Sequence, residues 1–314
     1  MNDPYDNPIR VGQAISALGK GEPVVIAGED RSAIVLAASL ASTTWTAWTV
    51  RHSSGLLCVA LHDDLADKLD LSPLRPAAAD TGTVYAVSVD AADGVTTGIS
   101  AADRAHCARV LANPASRPAD LTRPGHVIPI RVSRTAGRAH YGLPEAALDL
   151  CAQAGLPEVG LLATMVTDVG PLATMCEARA LAEEYGLVVV TQDQLAGRCL
   201  ESRIRRVEWI EWPSRSGVQR TGVYADDTGL QHFVVFGHRP GPAHVHVECL
   251  QGTIAAGACH CRAHLDTALA RLSDEGGMLV YLRPSRHGRH QEMGRAETAL
   301  STVIQAYAER EAAR

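Results

Sequence analysis

Hydrophobic rhythm restricts this chain more than any other feature, and it changes near residue 205. Before that point, short unbroken apolar runs such as Pro23-Val24-Val25-Ile26-Ala27 alternate with longer, alanine-rich stretches. After it, apolar and polar residues alternate singly, as in Val207-Glu208-Trp209-Ile210-Glu211-Trp212. Unbroken runs suit strands covered on both faces, and strict alternation suits an antiparallel sheet with one face in water. The chain therefore divides into residues 1–205 and 206–314. Its 314 residues suffice for both units, because a domain commonly holds about 100–200.

In the first unit the spacing predicts a helix over 10–18, stopped at Gly19, and then a strand over 23–27. The alanine-rich stretch 34–50 reads as helix, followed by strands over 55–61 and 84–89. Ser100 is a cap candidate for a helix over 101–111. Helices over 144–153, 175–185 and 192–200 and strands over 159–165 and 187–190 complete a mixed α/β pattern. A last helix is expected over 292–311.

Composition excludes several classes. With 46% hydrophobic residues, wholesale disorder is out. No apolar run approaches the roughly 18 residues of a membrane helix, so no membrane partner is expected. The acidic, polar start Met1-Asn2-Asp3-Pro4-Tyr5-Asp6 carries no readable secretory signal, and a soluble, cytoplasmic protein is the expectation. Net charge is −6 and the lysines are only Lys20 and Lys68, a poor match to the dense basic face that nucleic acid requires.

The chemistry concentrates in Asp90-Ala91-Ala92-Asp93-Gly94-Val95-Thr96-Thr97-Gly98-Ile99-Ser100-Ala101-Ala102-Asp103-Arg104. A Thr-Thr-Gly turn before a helix offers hydroxyls and unpaired N–H groups, which together form a phosphate cradle. With Glu29-Asp30-Arg31 and Arg123-Pro124-Gly125-His126-Val127-Ile128-Pro129, this block resembles 3,4-dihydroxy-2-butanone 4-phosphate synthase. The resemblance implies an α/β (α+β) sandwich and a homodimer with its sites at the subunit interface. It also implies magnesium-dependent conversion of ribulose 5-phosphate into a four-carbon phosphate and formate. Arg31, Thr96, Thr97, Asp103, Arg104 and Glu145 become the candidate sugar-phosphate contacts, and His126 the candidate acid–base group. Two plainer roles stay open: Asp103 and Arg104 as a helix cap with a surface ion pair, and His126 as a structural histidine.

Three positions depart from the family pattern. The acidic loop after Asp-Arg is replaced by Ser32-Ala33, the magnesium-ligating histidine by Leu143, and a further carboxylate by Ala163-Thr164. Magnesium wants hard oxygen ligands, so a magnesium site is not expected in this unit.

The second unit, through Val245-His246-Val247-Glu248-Cys249-Leu250 and Cys259-His260-Cys261, resembles a small mixed α/β piece of GTP cyclohydrolase II. Its Cys249, Cys259 and Cys261 match the thiolate ligands of a zinc site, with buried reduced thiols as the alternative. His244, His246 and Glu248 share one strand face and read as polar lining, with a fourth metal ligand as the alternative. Ala258 replaces a phosphate-binding arginine and Pro284-Ser285-Arg286-His287-Gly288-Arg289 a glycine-rich segment, so GTP ring opening is not expected.

These departures lead to the expectation of a divergent homologue that keeps a sugar-phosphate pocket and acts on a pentulose phosphate, or a related metabolite, by altered chemistry. A non-catalytic paralogue and a fully active riboflavin-pathway enzyme are the two alternatives.

Overall fold

A computed structural model describes residues 8–28, 31–74, 83–133, 141–195, 204–214, 217–226, 229–249 and 260–283, with Ser301, Ile304, Gln305 and Ala308 beyond them. By their contacts they form two compact units, the first reaching Leu195 and the second holding the residues from Ile204 onward.

The first unit is built on an eight-stranded sheet. Its strands are β1 (Val24–Ala27), β2 (Ala33–Ala37), β3 (Cys58–His62), β4 (Val84–Tyr85), β5 (Val89–Ala91), β6 (Leu121–Val132), β7 (Val159–Thr164) and β8 (Val188–Thr191). They lie in the order β4-β6-β3-β7-β2-β1-β8, with β5 paired to β6. Helices α1 (Pro8–Gly19), α2 (Thr43–Arg51), α3 (Asp63–Lys68), α4 (Ala101–Ala112), α5 (Leu143–Gln153) and α6 (Met175–Glu184) cover it.

Both faces of the sheet are buried, which is why its strands read as unbroken apolar runs. Along β3, Cys58 and Ala60 enter the core shared with α1 and α5, while Val59 and Leu61 enter the core shared with α4. Each fully buried Leu or Val contributes roughly 1.5–3 kcal/mol of transfer free energy.

The helix expected over 34–50 is a correction. Residues Ala33–Ala37 form β2, buried along its whole length between β1 and β7. Two-sided burial and two ladders outweigh alanine's helix preference. The helix begins only at Thr43, where the Ser42 hydroxyl accepts the Trp45 N–H at 3.2 Å. The strand expected over 84–89 is likewise two short strands, β4 and β5.

The second unit carries a five-stranded sheet in the order β12-β13-β11-β10-β9. These strands are β9 (Arg205–Ser214), β10 (Gly217–Ala225), β11 (Gln231–Phe236), β12 (Ala243–Val247) and β13 (Met278–Leu282), with helix α7 (Cys261–Glu275). β12 runs parallel to β13, and the other pairs are antiparallel as their alternation implies. Most of the helix expected over 292–311 lies outside the described residues. Among the described residues no helix is long and apolar enough to cross a membrane.

Candidate active site

The expected cap is present: the Ser100 hydroxyl accepts the Asp103 N–H at 3.0 Å and opens α4. Asp103 itself turns back onto the loop before the helix. Its Oδ2 accepts the Thr96 hydroxyl at 2.7 Å and the Gly98 N–H at 3.1 Å, and its Oδ1 accepts the Thr96 N–H at 3.2 Å. These bonds, the Thr96 hydroxyl foremost, hold its carboxyl below the ordinary aspartate range. Asp103 thus braces the Thr-Thr-Gly turn, and Thr96 and Thr97 stay exposed on it.

Arg104 is buried, and its Nη1 donates to the Gly55 carbonyl at 3.0 Å, tying α4 to the segment before β3. Burial lowers its pKa while the neighbouring Asp90 charge raises it. Arg31 is exposed; its charge reaches Tyr85, whose phenol is pushed up by burial and by Cys58 and pulled down by Arg31. Arg31, Tyr85 and Cys58 therefore share one neighbourhood. Burial pushes the Cys58 thiol up to about 11, so it is neutral at physiological pH.

His126 is the most developed feature. Its Nδ1 lies 2.7 Å from Asp90 Oδ2, and its backbone N–H donates to Asp90 Oδ1 at 3.0 Å. A Cβ on Gly98 would sit 2.0 Å from Asp90 Oδ2 and 2.7 Å from His126 Nδ1. The carboxylate–imidazole pair therefore rests directly against the Thr-Thr-Gly turn, and only glycine permits that approach, at φ +86°. The sequence alone gives Asp90 no role and places Gly98 only in the turn. The carboxylate was visible at the head of the quoted block, but its partner stands 36 residues on.

Glu145, expected near the substrate, accepts the Gly142 N–H at 2.8 Å in the cap of α5. Leu143 is 5% exposed and belongs to the core of the first unit. Ser32 and Ala33 are fully buried, and Ala33 pairs in register with Thr164. The three family positions for hard ligands thus offer two hydroxyls, Ser32 and Thr164, with two alanines and a leucine. Among the described residues no three His, Cys, Asp or Glu side chains are grouped to hold a metal; Glu29 and Asp30 lie outside them. The described residues do not fit a magnesium ion.

In the second unit Cys249 is buried just beyond β12, and the half-buried Cys261 opens α7. Cys259, Ala258 and residues 284–289 lie outside the described residues. Glu248 accepts from Arg283 Nε at 3.2 Å and from the Tyr281 hydroxyl at 3.4 Å. Its neighbour two residues back, His246, lies against the Tyr281 ring with centroids 5.3 Å apart.

A two-faced α/β sheet with a braced Thr-Thr-Gly turn and an imidazole–carboxylate pair beside it defines an α/β enzyme of the lyase type. Residues 12–197 match the family model of 3,4-dihydroxy-2-butanone 4-phosphate synthase, and residues 204–312 match that of GTP cyclohydrolase II. The chain belongs to the 3,4-dihydroxy-2-butanone 4-phosphate synthase family, joined to a GTP cyclohydrolase II unit as in the bifunctional riboflavin biosynthesis proteins.

The relative from Salinispora arenicola, riboflavin biosynthesis protein RibBA, is 38% identical over 288 residues, covering 87% of this chain and 69% of that protein. The Mycobacterium marinum protein of the same name is 39% identical over 297 residues, with the same coverage. Among solved structures, a 3,4-dihydroxy-2-butanone 4-phosphate synthase in complex with two magnesium ions covers 60% of this chain at 34% identity and a TM-score of 0.57. RibBX from A. baumannii, a two-domain synthase, covers 96% of the chain with a TM-score of 0.74 at 20% identity, a likeness of fold alone. These relatives overturn the expectation of altered, non-standard chemistry. That expectation weighed three substituted positions above the rest of the chain, whereas the likeness to named riboflavin biosynthesis proteins runs through both units.

Proposed function

We propose that the first unit carries out the reaction its family is named for, forming 3,4-dihydroxy-2-butanone 4-phosphate and formate from ribulose 5-phosphate. The observation that carries this reading is His126 standing against the Thr-Thr-Gly turn, within 2.7 Å of where a Gly98 Cβ would be. A phosphate held at Thr96, Thr97 and Arg31 leaves the sugar carbons beside an imidazole with Nε2 open. In this reading His126 lifts a proton from the carbon next to the carbonyl and returns it later in the sequence, a contribution of about 10²–10⁴ in rate. Asp103 and Arg104 keep the turn and α4 in place, and Glu145 caps the start of α5.

The same reading supports a homodimer, since Leu56 and Ile99, close to the site in sequence, are 52% and 54% exposed. It supports a cytoplasmic location, and two units divided near residue 205. In the second unit the soft thiolates of Cys249, Cys259 and Cys261 fit zinc, which when bound activates a water. Ala258 in place of an arginine, with Pro284-Ser285-Arg286-His287-Gly288-Arg289 in place of the glycine-rich segment, supports a second unit that does not open the GTP ring.

The test is formate release by the purified full chain, wild type against His126→Asn, from ribulose 5-phosphate with magnesium added. Wild-type release that His126→Asn lowers by about 10²-fold or more supports the assignment, and equal rates remove His126 from the chemistry. Metal analysis of wild type against Cys259→Ala decides zinc, and formate release from GTP decides the second unit.

A further inference from the structure

We propose that Gln192 is the positioning residue for Arg31, its side-chain amide tying the turn that carries this phosphate contact to the start of α5. The proposal rests on the reading of the first unit above. It follows from where two strands end.

β1 and β8 run parallel with Ala27 opposite Thr191, so both deliver their chains at the same end of the sheet. The carboxyl ends of parallel strands are where α/β sheets form ligand crevices. Gly28 follows Ala27 at the root of the turn to Arg31, and Gln192 follows Thr191. Gln192 opens a helical turn over 192–195 that its neighbours cap. The Thr191 hydroxyl accepts the Gln194 N–H at 3.2 Å, and the Thr191 N–H donates to Gln194 Oε1 at 2.9 Å. The cap therefore makes no demand on the Gln192 side chain.

That side chain is half-buried and reaches two other segments. Its Nε2 donates to the Tyr141 carbonyl at 2.6 Å. The N–H of the same peptide unit, on Gly142, donates to Glu145 at 2.8 Å. One peptide ahead of α5 is thus held by its oxygen through Gln192 and by its N–H through Glu145. At the other end of the amide, Gln192 Oε1 would stand 3.3 Å from a Cβ on Gly28, and the Arg31 carbonyl oxygen 2.6 Å from it. Glycine at 28 is what lets the amide and the turn approach so closely. A primary amide carries donor and acceptor together, so one side chain serves both segments, whereas a carboxylate only accepts and an aliphatic chain does neither. Arg31 is exposed, so the aim of its guanidinium depends on how firmly its backbone is held.

The experiment titrates inorganic phosphate by calorimetry into the full-length wild type, Gln192→Leu, Gln192→Asn, Arg31→Ala and the Gln192→Leu/Arg31→Ala double variant. Gln192→Leu keeps the bulk and loses both polar ends; Gln192→Asn keeps the amide but is one methylene too short to span. Each is expected to weaken phosphate binding about tenfold. On the Arg31→Ala background, Gln192→Leu should weaken it no further. With ribulose 5-phosphate, KM in Gln192→Leu should rise by a similar factor while kcat stays within about threefold, the pattern of a lost anchor. A merely structural role would lower the urea midpoint and leave phosphate affinity and KM untouched, which overturns the proposal. A wild type that does not bind phosphate overturns it too, as does an equal further loss on the Arg31→Ala background. If the wild type releases no formate, the functional reading fails, and the phosphate titrations still decide the role of Gln192.

Discussion

Thr96 and Asp103 are joined twice across the entrance to α4, hydroxyl to carboxylate at 2.7 Å and backbone N–H to carboxylate at 3.2 Å. With the Gly98 N–H as a third donor, one carboxylate sets the shape of the turn on which the phosphate reading depends. Replacing Asp103 with Asn removes the charge and half of the acceptor capacity. The KM for ribulose 5-phosphate is expected to rise about tenfold, with the helix content of the protein unchanged.

The same bonds set an acid limit. Because the Asp103 pKa is lowered in the folded chain, its contribution is complete above the ordinary carboxyl value and fades as pH falls through the lowered one. Protection of the Thr96 and Gly98 amides, taken relative to the intrinsic exchange rate at each pH, is expected to fall below about pH 4 in the wild type. In Asp103→Asn that protection should be low throughout and independent of pH.

Gly98→Ala tests the close approach of turn and dyad. A methyl group cannot occupy a point 2.0 Å from Asp90 Oδ2, and φ +86° adds strain of its own. Formate release should fall by about 10²-fold or more, while unfolding by urea shifts far less than for a core truncation.

Trp48 offers the opposite behaviour. It is 8% exposed, with ring centroids 5.8 Å from Trp45, 4.6 Å from His52 and 5.1 Å from Tyr185, and it packs in a core with Ile34 and Met165. Trp48→Ala should cost about 3–5 kcal/mol in urea unfolding. At a temperature where the variant stays folded, its KM should match that of the wild type.

Thiol chemistry reports on the core. Burial pushes Cys58 up to about 11 and Cys107 and Cys151 up to about 12, whereas Cys176 is exposed. At pH 7.5, Cys176 should react with a chromogenic disulfide well before those three. Cys176→Ser should lower the amplitude of the fast phase by one thiol.

Much of the site was legible because it is local. Ser100 caps α4, and Thr96, Gly98 and Asp103 all lie within eight residues of one another, so a short window of sequence contains the turn and its brace. Asp90 and His126 were less legible, since their pairing needs β5 and β6 to meet with a shifted register that no local pattern encodes. Asp103 and Glu145 read as substrate contacts because side-chain type alone does not tell a carboxylate that faces a ligand from one that caps its own backbone. The strand β2 was hidden for a different reason. Ala33–Ala37 runs straight into alanine-rich Ala37–Ala41, and read together they look helical; its place between β1 and β7 makes it a strand.

The three substituted positions, Ser32-Ala33, Leu143 and Ala163-Thr164, misled the functional expectation in a related way. They are buried or built into the sheet and α5, and three positions weighed against the whole chain proved a narrow basis for discarding the family reaction.

The most direct measurement follows the carbon of ribulose 5-phosphate by NMR, uniformly ¹³C-labelled and incubated with the purified chain. A synthase must yield formate and a four-carbon phosphate in equal amounts, at a rate that His126→Asn lowers by about 10²-fold or more. Untouched sugar phosphate, or a five-carbon product without formate, would contradict it.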